Sequence, residues 1–198
     1  MKKLIAGCFA ILFMYGVPQA WGHEHTSGMS MTEPQTGSIY NLKDTWTTSE
    51  GKNFQLTELA GRPVVMSMIY TSCKEVCPRI VEDMKKIERT LPPELVGRVQ
   101  FAVFSFDTQR DTIDKLKEYA KAHHIDTPTW LIARSDAGAI RRLSIALGMK
   151  YKKLRDGDFE HDTLISVVDQ YGVISYRVNN FTHETDETIS AIKKMMKQ

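Results

Sequence analysis

The sequence predicts one α/β domain: a mixed sheet flanked by helices, with an added N-terminal hairpin. Short β-rich apolar runs alternate with stretches whose apolar residues recur at helical spacing. The last two β-rich runs are separated only by Gln170-Tyr171-Gly172, a hairpin that makes part of the sheet antiparallel. At 198 residues, 42% hydrophobic and 25% charged, the chain has the length and composition for a full core in one domain.

Each element follows from its own residues. "DTWTTSEGKNFQL" reads as a short hairpin turning at Glu50-Gly51. Arg62–Tyr70, "RPVVMSMIY", is a continuous apolar run and reads as a buried strand. From Pro78 to Leu91, Ile80, Val81, Met84, Ile87 and Leu91 fall on one helix face, and Pro92-Pro93 ends it. Val99–Asp107 is a second buried strand, and Asp111–His123 an amphipathic helix with Ile113, Leu116, Tyr119 and Ala120 inward. Thr129–Ala133 is a third strand, and Asp136–Leu147 a third helix closed by Gly148. "TLISVVD" and "VISYRV" form the closing hairpin, and Thr185–Lys197 is the last helix. The order is that of a thioredoxin-like domain, with a cysteine pair following the first core strand.

The first 22 residues carry Lys2 and Lys3, then an apolar run from Leu4 to Val17, then small residues. This is the pattern of a secretory signal, with a cut expected before His23, and an uncleaved membrane anchor as the alternative. Residues 23–38 are polar and rich in Gly, Ser, Thr and Pro, a flexible arm, and the domain runs from 39 to 198. The protein is therefore expected to be exported: periplasmic, or anchored to the outer face of the inner membrane if the signal is retained. Removal of Lys2 and Lys3 takes the formal net charge from +2 to 0, which gives no electrostatic basis for a nucleic-acid partner.

Of three cysteines, Cys8 lies in the signal, leaving Cys73 and Cys77 in "YTSCKEVCPRI". A structural staple, a redox pair and two metal ligands are the three readings. The staple is the weakest, because so short a loop constrains the unfolded chain little. Pro78 suits a first helical position, which puts Cys77 near the N-cap and Cys73 in the loop above, where the helix dipole favours thiolates. Of the six histidines, His123 and His124 end a helix and His183 precedes one. His161 stands apart, in "GDFEHDTLISVVD", at the end of a Gly/Asp loop before a buried strand.

"YTSCKEVCPRI", "VFSFDTQRDTIDKLKEYAKAH" and "HDTLISVVDQYGVI" resemble, in order and separation, the three signature regions of the Sco/SenC family. The resemblance covers roughly Ile39 to the C-terminus. It implies a thioredoxin-like fold and an exported copper-binding metallochaperone. It also implies a role in assembling a copper centre, chiefly the binuclear site of cytochrome c oxidase, whose apoprotein would be the partner alongside other copper carriers. It carries Cys73, Cys77 and His161 over as copper ligands and Asp107 as a supporting residue. Lys74-Glu75-Val76 stands where the family commonly has Pro-Asp-Val, and Thr108 where it has Pro. Two thiolates and an imidazole suit Cu(I) first and Zn(II) second. The alternative function is a thiol–disulfide oxidoreductase that reduces the cysteines of a copper-site apoprotein, with Cys73 and Cys77 as the redox pair. A thiol peroxidase, hinted at by Thr71 beside Cys73, has no other support. The arm adds His23, His25, Met29 and Met31, donors for either Cu(I) or Cu(II).

Overall fold

The computed structural model describes residues 35–179 and 185–197. The N-terminal hairpin is β1 (Thr45–Thr48) and β2 (Asn53–Gln55). There follow β3 (Val64–Ile69), α1 (Val76–Thr90), β4 (Gln100–Ser105), α2 (Ile113–Ala122), β5 (Trp130–Arg134) and α3 (Ala137–Leu147). A small hairpin, β6 (Tyr151–Lys153) and β7 (Phe159–His161), precedes β8 (Leu164–Val168), β9 (Ile174–Asn179) and α4 (Thr185–Met195). Seven strands form one sheet in the order β2-β1-β5-β4-β3-β8-β9. The central β3, β4 and β5 are parallel; β1 and β8 join them antiparallel, and β9 pairs antiparallel with β8. This is the expected mixed sheet with its added hairpin.

Burial explains the central strands. All six residues of β3 and all six of β4 are buried, as a run covered on both faces requires. Helix α1 packs against β3, β8 and α4; besides Cys77 it buries Ile80, Val81, Met84 and Ile87 of the predicted stripe, whose fifth member, Leu91, is buried at the C-cap. Each such side chain contributes about 1.5–3 kcal/mol on leaving water. Helix α2 buries Leu116, Tyr119 and Ala120; Ile113 at its start is only half-buried.

Two features differ from the sequence reading. Helix α1 starts at Val76, with Glu75 as N-cap, so Cys77 is inside the first turn and Pro78 is the third helical residue. Proline is still tolerated there, because first-turn N–H groups have no acceptor within the helix. The segment before His161 is a two-stranded ladder rather than a loop, in register Tyr151↔His161, Lys152↔Glu160 and Lys153↔Phe159.

The topology fixes which end of the sheet does what. β3 starts opposite the end of β8 (Val64↔Val168) and runs toward the start of β8 (Ser67↔Ile165). Cys73 therefore leaves the sheet at the end where His161 enters it. The Ile39 N–H donates to the Gly172 carbonyl and the Ser38 hydroxyl to the Tyr171 carbonyl, in the turn between β8 and β9. The described chain thus begins at the other end of β3, about 20 Å away along six strand residues.

Candidate metal centre

Cys73 lies in the loop after β3, partly exposed, and Cys77 in the first turn of α1, fully buried. Glu75 makes no side-chain cap to the helix. Instead the Cys77 N–H donates to the Cys73 sulfur at 3.3 Å, so the sulfur takes up one of the free donors at the helix start. His161 ends β7 and presents its Nε2 3.6 Å from the Cys77 sulfur. The three ligand atoms all lie within 4.8 Å of one another, the only such grouping of metal-binding side chains among the described residues.

The imidazole is set for coordination. Its Nδ1 is 2.9 Å from the Asp162 carbonyl, which can only accept, so Nδ1 is the donor there and Nε2 is the nitrogen turned toward the sulfurs. A second-sphere carbonyl holding the far nitrogen is the usual arrangement for a metal-binding histidine. An ion about 2.3 Å from sulfur and about 2.0 Å from nitrogen would separate them by about 3.7 Å at a trigonal angle. The observed 3.6 Å is close to that separation for this pair.

The two thiols are electrostatically unequal. The Cys73 thiol is pushed down to about 4 by hydrogen bonds from the Cys77 side chain, and further by the backbone N–H groups of Cys77 and Glu75 and the Tyr70 hydroxyl, against the opposing effect of burial. Burial pushes the Cys77 thiol up, and its hydrogen bond to Cys73 pushes it further. The reduced pair therefore holds one thiolate, at the partly exposed sulfur, and one buried thiol.

An aromatic cluster seats the hairpin. Phe106 stacks on Tyr151 at 5.2 Å, meets Phe159 edge-on at 5.2 Å, and lies 5.2 Å from the His161 ring. Tyr70 meets the His161 ring edge-on at 5.8 Å. Such pairs add about 0.5–1.5 kcal/mol each beyond buried area. Alternation in β6 and β7 turns Tyr151, Phe159 and His161 inward and leaves Lys152 and Glu160 exposed. Beside the ligands is an open cleft of about 580 Å³, lined by Tyr70, Lys74, Glu75, Asp158, Phe159 and His161 among others.

Asp107 touches none of the three ligands. Its buried carboxylate accepts the N–H groups of Gln109 and Arg110 and pairs with the Arg110 guanidinium, which lies 5.5 Å over the Tyr70 ring and 5.6 Å over Phe159. Sequence reasoning missed Asp111, fully buried, which accepts from the Thr71 N–H (3.0 Å), the Thr71 hydroxyl (2.6 Å) and the Ser105 hydroxyl (2.5 Å). It fastens the cysteine loop to the end of β4, and burial pushes its carboxyl pKa up. The second acid of "SFDTQRD" was the available signal, but it reads equally well as a helix start. His123 caps α2 and His124 follows it, as expected of helix-end residues. The signal, and His23, His25, Met29 and Met31 of the arm, lie outside the described residues. Among the described residues no helix is long and apolar enough to cross a membrane.

Fold and site together define a thioredoxin-like domain with a Cys/Cys/His cluster at the end of its central strand. The chain belongs to the SCO1/SenC family, whose sequence profile matches residues 31–197. It is similar to the SCO1 protein homolog of Bacillus subtilis, 28% identical over 86 residues, 43% of this chain and 44% of that one. It thus spans about half the length of the first curated relatives it matches. The fold is shared with Bradyrhizobium japonicum ScoI, solved with copper bound (24% identity, TM-score 0.65, covering 77% of this chain and 96% of that one). It is also shared with BsSco, solved in work that identified a disulfide switch and described it as a member of the Sco family of cytochrome c oxidase assembly proteins (22% identity, TM-score 0.68, 84% and 93%).

Proposed function

We propose that this protein is a copper carrier that binds one copper ion through Cys73, Cys77 and His161 and delivers it to the apoprotein of a copper centre. The observation that carries this reading is the convergence of two sulfurs and an imidazole nitrogen within 4.8 Å, with the far ring nitrogen held by the Asp162 carbonyl. The donor set is soft and favours Cu(I) over harder ions. Three protein ligands beside an open cleft leave a side from which an incoming ligand can take the ion. Cytochrome c oxidase is the recipient favoured by family membership, and export the favoured location. His23, His25, Met29 and Met31 collect copper for the domain.

The thiol chemistry supports a second reading, reduction of a disulfide in the apoprotein. The Cys73 thiolate attacks one sulfur of the target disulfide and expels the other as a thiolate. Cys77, losing its proton, then displaces the mixed disulfide. The protein leaves with a Cys73–Cys77 disulfide and the target with two thiols. The partly exposed thiolate beside a buried thiol favours this order of attack.

Anaerobic titration of the reduced protein with Cu(I) against a competing chelator tests the first reading. One tight equivalent is expected at the domain. It should be lost in the Cys73→Ser, Cys77→Ser double variant and weakened in His161→Ala. Equal retention by all three would overturn the assignment.

A further inference from the structure

Two short segments carry the ligands, and one hydrogen bond joins them at matching positions. Tyr70 stands three residues before Cys73, and Asp158 three residues before His161. The Tyr70 hydroxyl donates to the Asp158 carboxylate across the mouth of the cleft. Apart from this bond, the hairpin is held near the cysteines by ring packing on Phe106 and Tyr70, by the Arg110 guanidinium over Tyr70 and Phe159, and on its outer strand by an exposed hydrogen bond from the Lys153 ammonium to the Gln109 side chain. Ring contacts tolerate sliding; a hydrogen bond to a charged acceptor is directional and sets a register.

We infer that Tyr70 is a positioning residue for the metal site, its hydroxyl latching the hairpin that bears His161 onto the loop that bears Cys73. This rests on the reading of Cys73, Cys77 and His161 as the ligand set. The Tyr70 side chain is buried, so its ring is fixed, whereas Asp158 is exposed on its outer side. Water can replace the tyrosine as partner of the carboxylate, which makes the bond a latch that opens rather than a permanent strut. Closing the latch holds the hairpin, and with it the His161 ring, at the cysteine loop; binding of one metal ion by all three ligands holds the same two segments together, so by linkage each favours the other.

The test compares wild type, Tyr70→Phe, Asp158→Ala, Asp158→Asn and the Tyr70→Phe, Asp158→Ala double variant, each checked for wild-type thermal unfolding. In the apo protein, hydrogen exchange of residues 150–162 should quicken in Tyr70→Phe and Asp158→Ala. Asp158→Asn, whose amide oxygen still accepts, should stay near wild type. With Cu(I) under chelator competition, the first two variants should lose affinity by about 10-fold or more, the usual effect of removing a second-sphere partner. The double variant should be no worse than either single one. With Cu(II), the nitrogen hyperfine splitting in the EPR spectrum should weaken while the thiolate charge-transfer band persists. Unchanged exchange, affinity and spectrum in Tyr70→Phe, or additive losses in the double variant, would overturn the latch while leaving the ligand set standing. A wild-type spectrum with no nitrogen ligand would overturn the ligand set, and the latch with it.

Discussion

The Cys77 sulfur and the His161 Nε2 lie 3.6 Å apart, although 84 residues separate them in the chain. The contact exists because β3 and β8 are adjacent and antiparallel, so the residue leaving one strand and the residue entering the other share an end of the sheet.

Cys73 should react as a thiolate far below the ordinary thiol range. Its pKa is lowered to about 4, so the charged form persists as pH falls and is lost only near that value. The alkylation rate of the reduced apo protein by iodoacetamide should be nearly flat from neutral pH down to about 5 and fall below it. In the unfolded chain the fall should come around pH 8.5. Peptide mapping should find the label on Cys73, because burial keeps Cys77 protonated. A folded-state profile centred near 8 would contradict the hydrogen-bond network drawn around this sulfur.

The pair should also form a reversible disulfide. With no metal bound, mild oxidation should remove two hydrogens from the mass, and a dithiol should restore them. Cys73→Ser should abolish the change without producing intramolecular cross-links elsewhere. A pair that stays reduced under oxidant would argue against any redox gating of the metal site.

Asp111 should matter more to the cysteine loop than Asp107. Replacement by alanine leaves the Thr71 N–H, the Thr71 hydroxyl and the Ser105 hydroxyl without their common acceptor. The expected loss is about 1–3 kcal/mol for the buried Ser105 hydroxyl and less for the part-buried Thr71 groups, which water can reach. Chemical denaturation should show it, together with faster exchange at Thr71 and Ser72. Asp111→Asn, which keeps an acceptor, should lose less.

The arm is expected to quicken loading without changing final stoichiometry. His25 stands thirteen positions before Ser38, and Ser38 is fixed at the end of the sheet away from Cys73. A random coil of thirteen residues would span about 20 Å, comparable with the roughly 20 Å of strand between. Transfer from such an arm would be intramolecular, at a favourable effective concentration. Stopped-flow loading at limiting copper should be slower for a chain beginning at Ile39 than for one beginning at His23. Equal rates would reduce the arm to a spacer.

The class of fold was legible because β3 and β4 are continuous apolar runs and α1 has a full apolar stripe, signals long enough to survive any error at their ends. The place of His161 before a buried strand suggested the cysteine end of the sheet, but its role as a ligand came through resemblance, since no local pattern links residues so far apart. The β6–β7 hairpin escaped notice because "YKK" and "FEH" are three residues each and mostly polar, held by Phe106 from another part of the chain. The start of α1 was misplaced because Pro78 fits any first-turn position, and the deciding contact is the Cys77 N–H on the Cys73 sulfur. The bond from Tyr70 to Asp158 has no sequence signature at all, being made by two side chains brought together by the sheet.

The central claim is that one copper ion is held by two sulfurs and one imidazole. X-ray absorption at the copper edge, on Cu(I)-loaded protein beginning at Ile39, counts those ligands directly. The predicted first shell is two sulfurs and one nitrogen, with the outer-ring scattering of an imidazole that disappears in His161→Ala. A shell of sulfur alone, unchanged by that substitution, would contradict it.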